Sequence, residues 1–313
     1  MMSLRKAIQN TVELSLKDKL ALKDDEIAIA TDIMQSRILH ALFSGLSRDL
    51  VILKGGLAMK ALTGSERSTK DIDMAAEPNV NMSTLNKHMH AAINNALRCG
   101  LIEEATVREQ DLGNGGISPK WHVNGKLAGS NTAIHIRIEV SKRDLLPEDA
   151  ISRFEIAASD RDGVGKYTIR TYSPMAMAAS KIAALLDQNR NKPRDLYDLN
   201  LLMELDVAPP VAMLAALGKD KLQLMLGNLW HKVASFTYQD FKAEVAPSLP
   251  QHVATTISEI GWCEMQLKVA EHIERWLQEA IEVADHPIPR SELRTRFDAL
   301  VARSAATTDK PKP

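Results

Sequence analysis

Hydrophobic positions return every three or four residues from Glu26 onward. Ile27, Ala30, Met34, Ile38 and Ala41 share one face, so 26–45 is predicted to be an amphipathic helix. Residues 1–25 carry mixed charge with weak periodicity and read as a helix or an arm. The β-prone run from Leu50 to Leu53 ends in Gly55 and Gly56, a strand entering a glycine turn. Polar 65–70 follows as a loop. Asp71 to Met74 opens a second strand that Pro78 and Asn79 break. Ser83 is the expected N-cap of a helix with Leu85, Met89, Ala92 and Ala96 on its face, stopped by Gly100. Residues 102–126 read as strands joined by turns. A bend is expected at Gly113, Gly115 and Gly116, and a hairpin turn at Asn124-Gly125. Ile134, Ile136, Ile138 and Val140 alternate with His135, Arg137 and Glu139, a period-2 strand buried on one face.

After Tyr172 the period changes. Ser173-Pro174 pairs an N-cap with a proline at the first helical position. Met177, Ala178, Ile182 and Leu185 then mark a helix face, and Pro193 opens a second helix bearing Leu196, Leu199 and Leu202. Only helical patterning follows, to about residue 303. The chain thus divides into an α+β part over 1–172, a small mixed sheet flanked by helices, and an all-α part over 173–304. The polar tail 305–313 is expected to be disordered.

Composition narrows the function classes. The 39 basic and 40 acidic residues nearly cancel, which argues against a basic nucleic-acid coat or a polybasic membrane anchor. Any RNA recognition must then come from a local groove with modest salt dependence. Aromatic residues at 4% speak against a base-stacking platform. Cys99 and Cys263 are too few for a disulfide framework or a cysteine-rich zinc site. The absence of a long apolar run or a signal-like N-terminus leads us to expect a soluble, cytoplasmic protein without membrane contact. The tryptophans at 230, 262 and 276 are expected to anchor the helical core.

Three features in chain order carry chemistry. Gly55 and Gly56, after Lys54, offer backbone N–H groups that phosphate oxygens can approach, or simply a tight turn. Asp71 and Asp73, two apart on a strand, point to one side, and neighbouring carboxylates favour a hard cation such as Mg²⁺. The alternative is a solvated strand end. Glu139 becomes a third carboxylate if its strand lies beside that of Asp71 and Asp73. Otherwise it pairs at the surface with Arg137 or Lys142.

Read together, Leu53-Lys-Gly-Gly-Leu-Ala-Met-Lys60 and Glu66-Arg-Ser-Thr-Lys-Asp-Ile-Asp73 resemble the polymerase-β-like nucleotidyltransferase superfamily, and within it the AbiEii/AbiGii-type toxins. The later segments Tyr172-Ser-Pro174, Lys181 to Leu186 and Arg194-Asp-Leu-Tyr-Asp-Leu199 extend the likeness over roughly 51–203. Leu57 departs from it, standing where the family has Thr or Ser. Thr69 replaces the usual Ser.

The resemblance implies a transferase that moves NMP from NTP to an acceptor hydroxyl with one or two Mg²⁺ ions. The acceptor it implies is the tRNA 3′ end, within a toxin–antitoxin or phage-defence pair with a cognate antitoxin. It assigns metal to Asp71, Asp73 and Glu139, catalysis to these with Lys181 and Asp195, and nucleotide binding to Lys54, Gly55, Gly56, Arg67 and Thr69. Arg190, Lys192 and Arg194, with Lys142 and Arg143, form basic clusters that suit an RNA backbone or are ordinary surface charge. Asp198 is expected to partner Arg194. Two other functions share these motifs: a catalytically weak nucleotide-binding interaction module, and a nucleotidyltransferase acting on a protein or small molecule.

Overall fold

A computed structural model describes residues 18–45, 47–110, 118–142, 146 and 148–285. Residues 1–17 of the expected helix or arm at 1–25, the bend at Gly113, Gly115 and Gly116, Arg143, the end of the expected helical part after 285 and the tail 305–313 lie outside the described residues.

The first helix, α1 (Asp18–Phe43), starts earlier than its apolar pattern predicts and buries Ala30, Met34 and Ile38. Strand β1 (Ile52–Lys54) runs directly into α2 (Gly55–Thr63), then β2 (Asp71–Ala76) and α3 (Met82–Leu97) follow. The N-cap of α3 is Asn81, not Ser83: its side chain accepts a hydrogen bond from the Thr84 amide at 3.0 Å, and Ser83 is already inside the helix.

Strands β3 (Ile102–Gln110), β4 (Lys120–Leu127) and β5 (Ala133–Lys142) extend the sheet on one side. Strands β6 (Ile151–Ile156) and β7 (Tyr167–Tyr172), which the hydrophobic pattern leaves unassigned, extend it on the other. The seven-stranded mixed sheet has the order β3-β4-β5-β2-β1-β7-β6. Asn124-Gly125 is not a turn: both sit inside β4, opposite an irregularity of β3 between Glu103 and Thr106. A side chain at Gly125 would run into Ile102 and lie 2.8 Å from the Glu103 carbonyl oxygen, so this glycine makes room for a bulged neighbour.

The helical part begins with α4 (Pro174–Leu185), capped by Ser173 Oγ accepting from the Ala176 amide at 3.2 Å, and α5 (Pro193–Glu204). After short turns come α6 (Val211–Ala215), α7 (Lys219–Ala234) and α8 (Glu259–Asp285). Two cores result. One joins the sheet to α1 and α3 and takes Met177 and Ala178 from α4. The other gathers Ile182, Leu185, Leu196 and Leu199 with Phe236, Trp262, Ile273 and Trp276. Trp230 corrects the expectation for the tryptophans. It is 42% exposed on α7, with its Nε1–H donating to Glu274 at 3.2 Å, while Trp262 and Trp276 are buried.

Candidate active site

Sheet register assembles the acids. Strand β2 is antiparallel to β1 and parallel to β5, which opposes Lys54 to Asp73 and Asp73 to Glu139; β4 then opposes Lys120 to Glu139. A row of two carboxylates flanked by two lysines therefore crosses four strands. The next row opposes Asp71 to Arg137 and Arg137 to His122. Because i and i+2 share a face, Asp71, Asp73, Arg137 and Glu139 line one cleft of about 740 Å³. Its opposite wall is helical, with Lys181 from α4 and Arg190, Lys192, Arg194 and Asp195 from the α4–α5 turn and the start of α5.

Gly55 holds this corner. Its φ of +68° lies in the left-handed region, and a Cβ there would be 2.5 Å from Asp73 Oδ2. The backbone turn and the Asp73 carboxylate are thus packed directly together. Burial, then the neighbouring Asp71 charge, pushes the Asp73 carboxyl above its ordinary range, against the pull of Lys54. Asp71 is tied to Arg137 at 2.6 Å, and Glu139 lies 3.4 Å from Lys120, neither Arg137 nor Lys142 being its partner.

Lys181 lies across from Asp195, its ammonium donating to Asp195 Oδ1 and Asp198 Oδ2 at 2.7 Å each. Burial pushes Lys181 down, but the carboxylates of Asp198 and Asp195 push it up further, and the net direction is up. Asp195 is held below the carboxylate range: burial opposes this, and Lys181 and Arg190 outweigh it. Arg190 Nε donates to Asp195 Oδ2 at 2.7 Å.

Asp198 does not partner Arg194. It is buried and accepts from Arg67 Nε at 3.1 Å and Nη2 at 3.3 Å. This reassigns Arg67. Its side chain is only 6% exposed, absent from the cleft wall and packed beneath Gly56, whose Cβ would be 3.0 Å from Nη2. Thr69 likewise lies under Gly56, and its carbonyl accepts from Gln35 at 2.9 Å. Both support the glycine turn from behind. Leu57 is buried in the sheet core, so the cradle presents backbone and no hydroxyl at that position. The expected site list lacks Arg137, although period 2 places it on the Glu139 side. It also lacks Ser141, two residues beyond Glu139 on the same strand, Tyr172 from the Tyr172-Ser-Pro174 segment, and Ser180, which carries no such signal; all three line the cleft.

The donor set around Asp71 and Asp73 is all oxygen, and a cation would favour the charged form of the Asp73 carboxyl against the burial that raises it. This pair fits Mg²⁺. The three-carboxylate set with Glu139 is not assembled: among the described residues no three His, Cys, Asp or Glu side chains converge to hold a metal ion. Arg137 and Lys120 hold Asp71 and Glu139 instead.

Among the described residues no helix is long and apolar enough to cross a membrane. The family model for the nucleotidyl transferase AbiEii toxin of type IV toxin–antitoxin systems matches residues 37–303. Two solved structures from Helicobacter pylori are similar in sequence at a low level. JHP933 is 17% identical with a TM-score of 0.47, over 87% of this chain and 97% of that one. A protein described as a candidate nucleotidyltransferase is 16% identical with a TM-score of 0.49, over 84% and 98%. No curated protein matches the chain significantly.

Proposed function

The chain belongs to the AbiEii nucleotidyl transferase toxin family of type IV toxin–antitoxin systems, and from that premise we propose that its cleft transfers NMP from an NTP to the 3′ hydroxyl of a tRNA. The observation that carries this reading is the facing of two walls: the Asp71–Asp73 pair on the sheet against the Lys181–Asp195 pair on the helices, in one cleft.

Asp71 and Asp73 would hold Mg²⁺, which when bound neutralises charge on the α-phosphate and on the departing pyrophosphate. The amides at Gly55 and Gly56 would meet phosphate oxygens at the start of α2, where helix dipole and N–H groups of the first turn favour an anion. Lys181, kept charged by two carboxylates, offsets the triphosphate. Arg190 and Lys192 extend that positive wall. The acceptor oxygen forms a bond to the α-phosphorus as the bond to pyrophosphate breaks. Glu139, beside the acids and half-exposed, receives the hydroxyl proton. A cognate antitoxin is the expected partner.

Incubation with each α-labelled NTP, Mg²⁺ and total RNA tests the reading. A labelled tRNA-sized band that disappears in Asp71→Ala is expected. Label on protein, or tight NTP binding without label on any acceptor, overturns it in favour of a protein acceptor or an interaction module.

A further inference from the structure

The catalytic face of the sheet does not stop at the cleft. On β4 and β5 the positions Trp121, Val123, Ile134, Ile136, Ile138 and Val140 are buried against the core. The alternate positions face the other way, are exposed or half-buried, and are all polar on the inner stretch: Lys120, His122 and Asn124 on β4, and His135, Arg137 and Glu139 on β5. Register carries the same row outward. Asp71 opposes Arg137, Arg137 opposes His122, and His122 opposes Arg108 on β3. Arg108 is exposed and makes no ion pair among the described residues. Strands step about 4.8 Å, so a continuous polar track leads from the acids across three further strands.

Two properties of this track select an occupant. Its charge changes sign: acids at the cleft, where Arg137 and Lys120 pair with Asp71 and Glu139, then Arg108, unpaired among the described residues, farther out. A polyanion is attracted along the track and held with its end at the acids. In its middle, His122 and His135 stack with ring centroids 5.4 Å apart and planes within 27°. Burial first, then the charges of His135, Arg137 and Lys120, keeps His122 below the usual imidazole range, so it offers a neutral flat ring. Flat rings amid cations suit unstacked bases on a phosphate backbone, a role the low Phe, Tyr and Trp content leaves open to histidine.

We propose that the exposed face of β3, β4 and β5 is the acceptor track, on which a single-stranded RNA 3′ end lies with its phosphates toward Arg108 and a base against His122 and His135. This rests on the RNA acceptor proposed above and goes beyond it by naming where the acceptor enters.

The test compares the wild type with Arg108→Ser/His122→Ala/His135→Ala, and with the exposed single change Arg108→Glu. The probe is a fluorescent RNA hairpin with and without a four-nucleotide 3′ tail. For the tailed probe the triple variant should bind at least tenfold more weakly, and its log Kd against log salt should flatten by about one. KM for RNA should rise with kcat within twofold, and the thermal shift on adding NTP should be unchanged. Equal binding and labelling of tailed RNA by wild type and both variants overturns the track. Equal weakening toward the tailless hairpin overturns its single-stranded occupant. Wild-type binding of RNA that is never labelled overturns the RNA acceptor instead.

Discussion

Gly55→Ala tests how tightly the nucleotide turn and the metal-binding acid are coupled, and Gly64→Ala is its built-in control. Both glycines have almost the same φ, +68° and +67°, in the left-handed region. Each alanine therefore carries the same left-handed penalty of about 1–2 kcal/mol. What differs is the space around the added methyl. At Gly64 nothing lies within 4 Å; at Gly55 the Cβ would be 2.5 Å from Asp73 Oδ2 and 2.9 Å from its Cβ. To restore an ordinary contact of 3.4 Å, Asp73 must retreat by about 0.9 Å from the 2.5 Å position. A displacement of that size at a reacting centre costs on the order of 10²-fold in rate. Both variants should melt a few degrees lower. Only Gly55→Ala should lose about 10²-fold in kcat/KM for NMP transfer, measured with α-labelled NTP. If the two variants agree within twofold, Asp73 is not positioned by this contact.

Removing Arg67 leaves the Asp198 carboxylate buried with Lys181 alone, so Arg67→Ala should lose about 3–5 kcal/mol in urea unfolding. Arg67→Lys, which cannot donate from two nitrogens at once, should recover only part of that; a loss below about 1 kcal/mol for the alanine would contradict the buried pair. Asp73→Asn should melt higher than the wild type at pH 7. The native carboxyl binds its proton more tightly than the unfolded one, so wild-type stability falls as pH rises through that window, and the difference should vanish below about pH 4. Asp195 has the opposite sign. Its native carboxyl is lowered, so its contribution is complete above the unfolded value near 3.8 and is lost as pH falls through the native one. Asp195→Asn should therefore melt lower at pH 7 and show a flatter acid limb in a pH series of melting curves.

The strands that carry the acids were legible because their periods are strict: Asp71 to Asp73 and Ile134 to Val140 alternate without a break. The pairing of β2 with β5 was only conditional in sequence, since register is a property of two distant segments, and it decides that Glu139 stands beside Asp73. Strand β6 was missed because Ser152, Arg153 and Glu155 leave it half-polar at the sheet edge, where propensity is weak. Asn124-Gly125 misled because a hairpin pair and a bulge-facing glycine look alike until the opposite strand is known. Arg67 misled for a related reason: an arginine near phosphate-binding glycines reads as a ligand contact, and only the fold reveals Asp198, 131 positions away, as its partner.

That long-range pair constrains how such a protein can be recombined. The loop at 65–70 belongs by sequence to the sheet, yet it is fastened to the helices twice. Arg67 engages Asp198, and the Ser68 amide donates to the Ser248 carbonyl at 2.7 Å. A chimera cut between sheet and helices would separate each lock from its key. Grafts between relatives should succeed when this loop travels with its helical partner and fail when it is left behind, even though the cut lies more than a hundred residues from the loop.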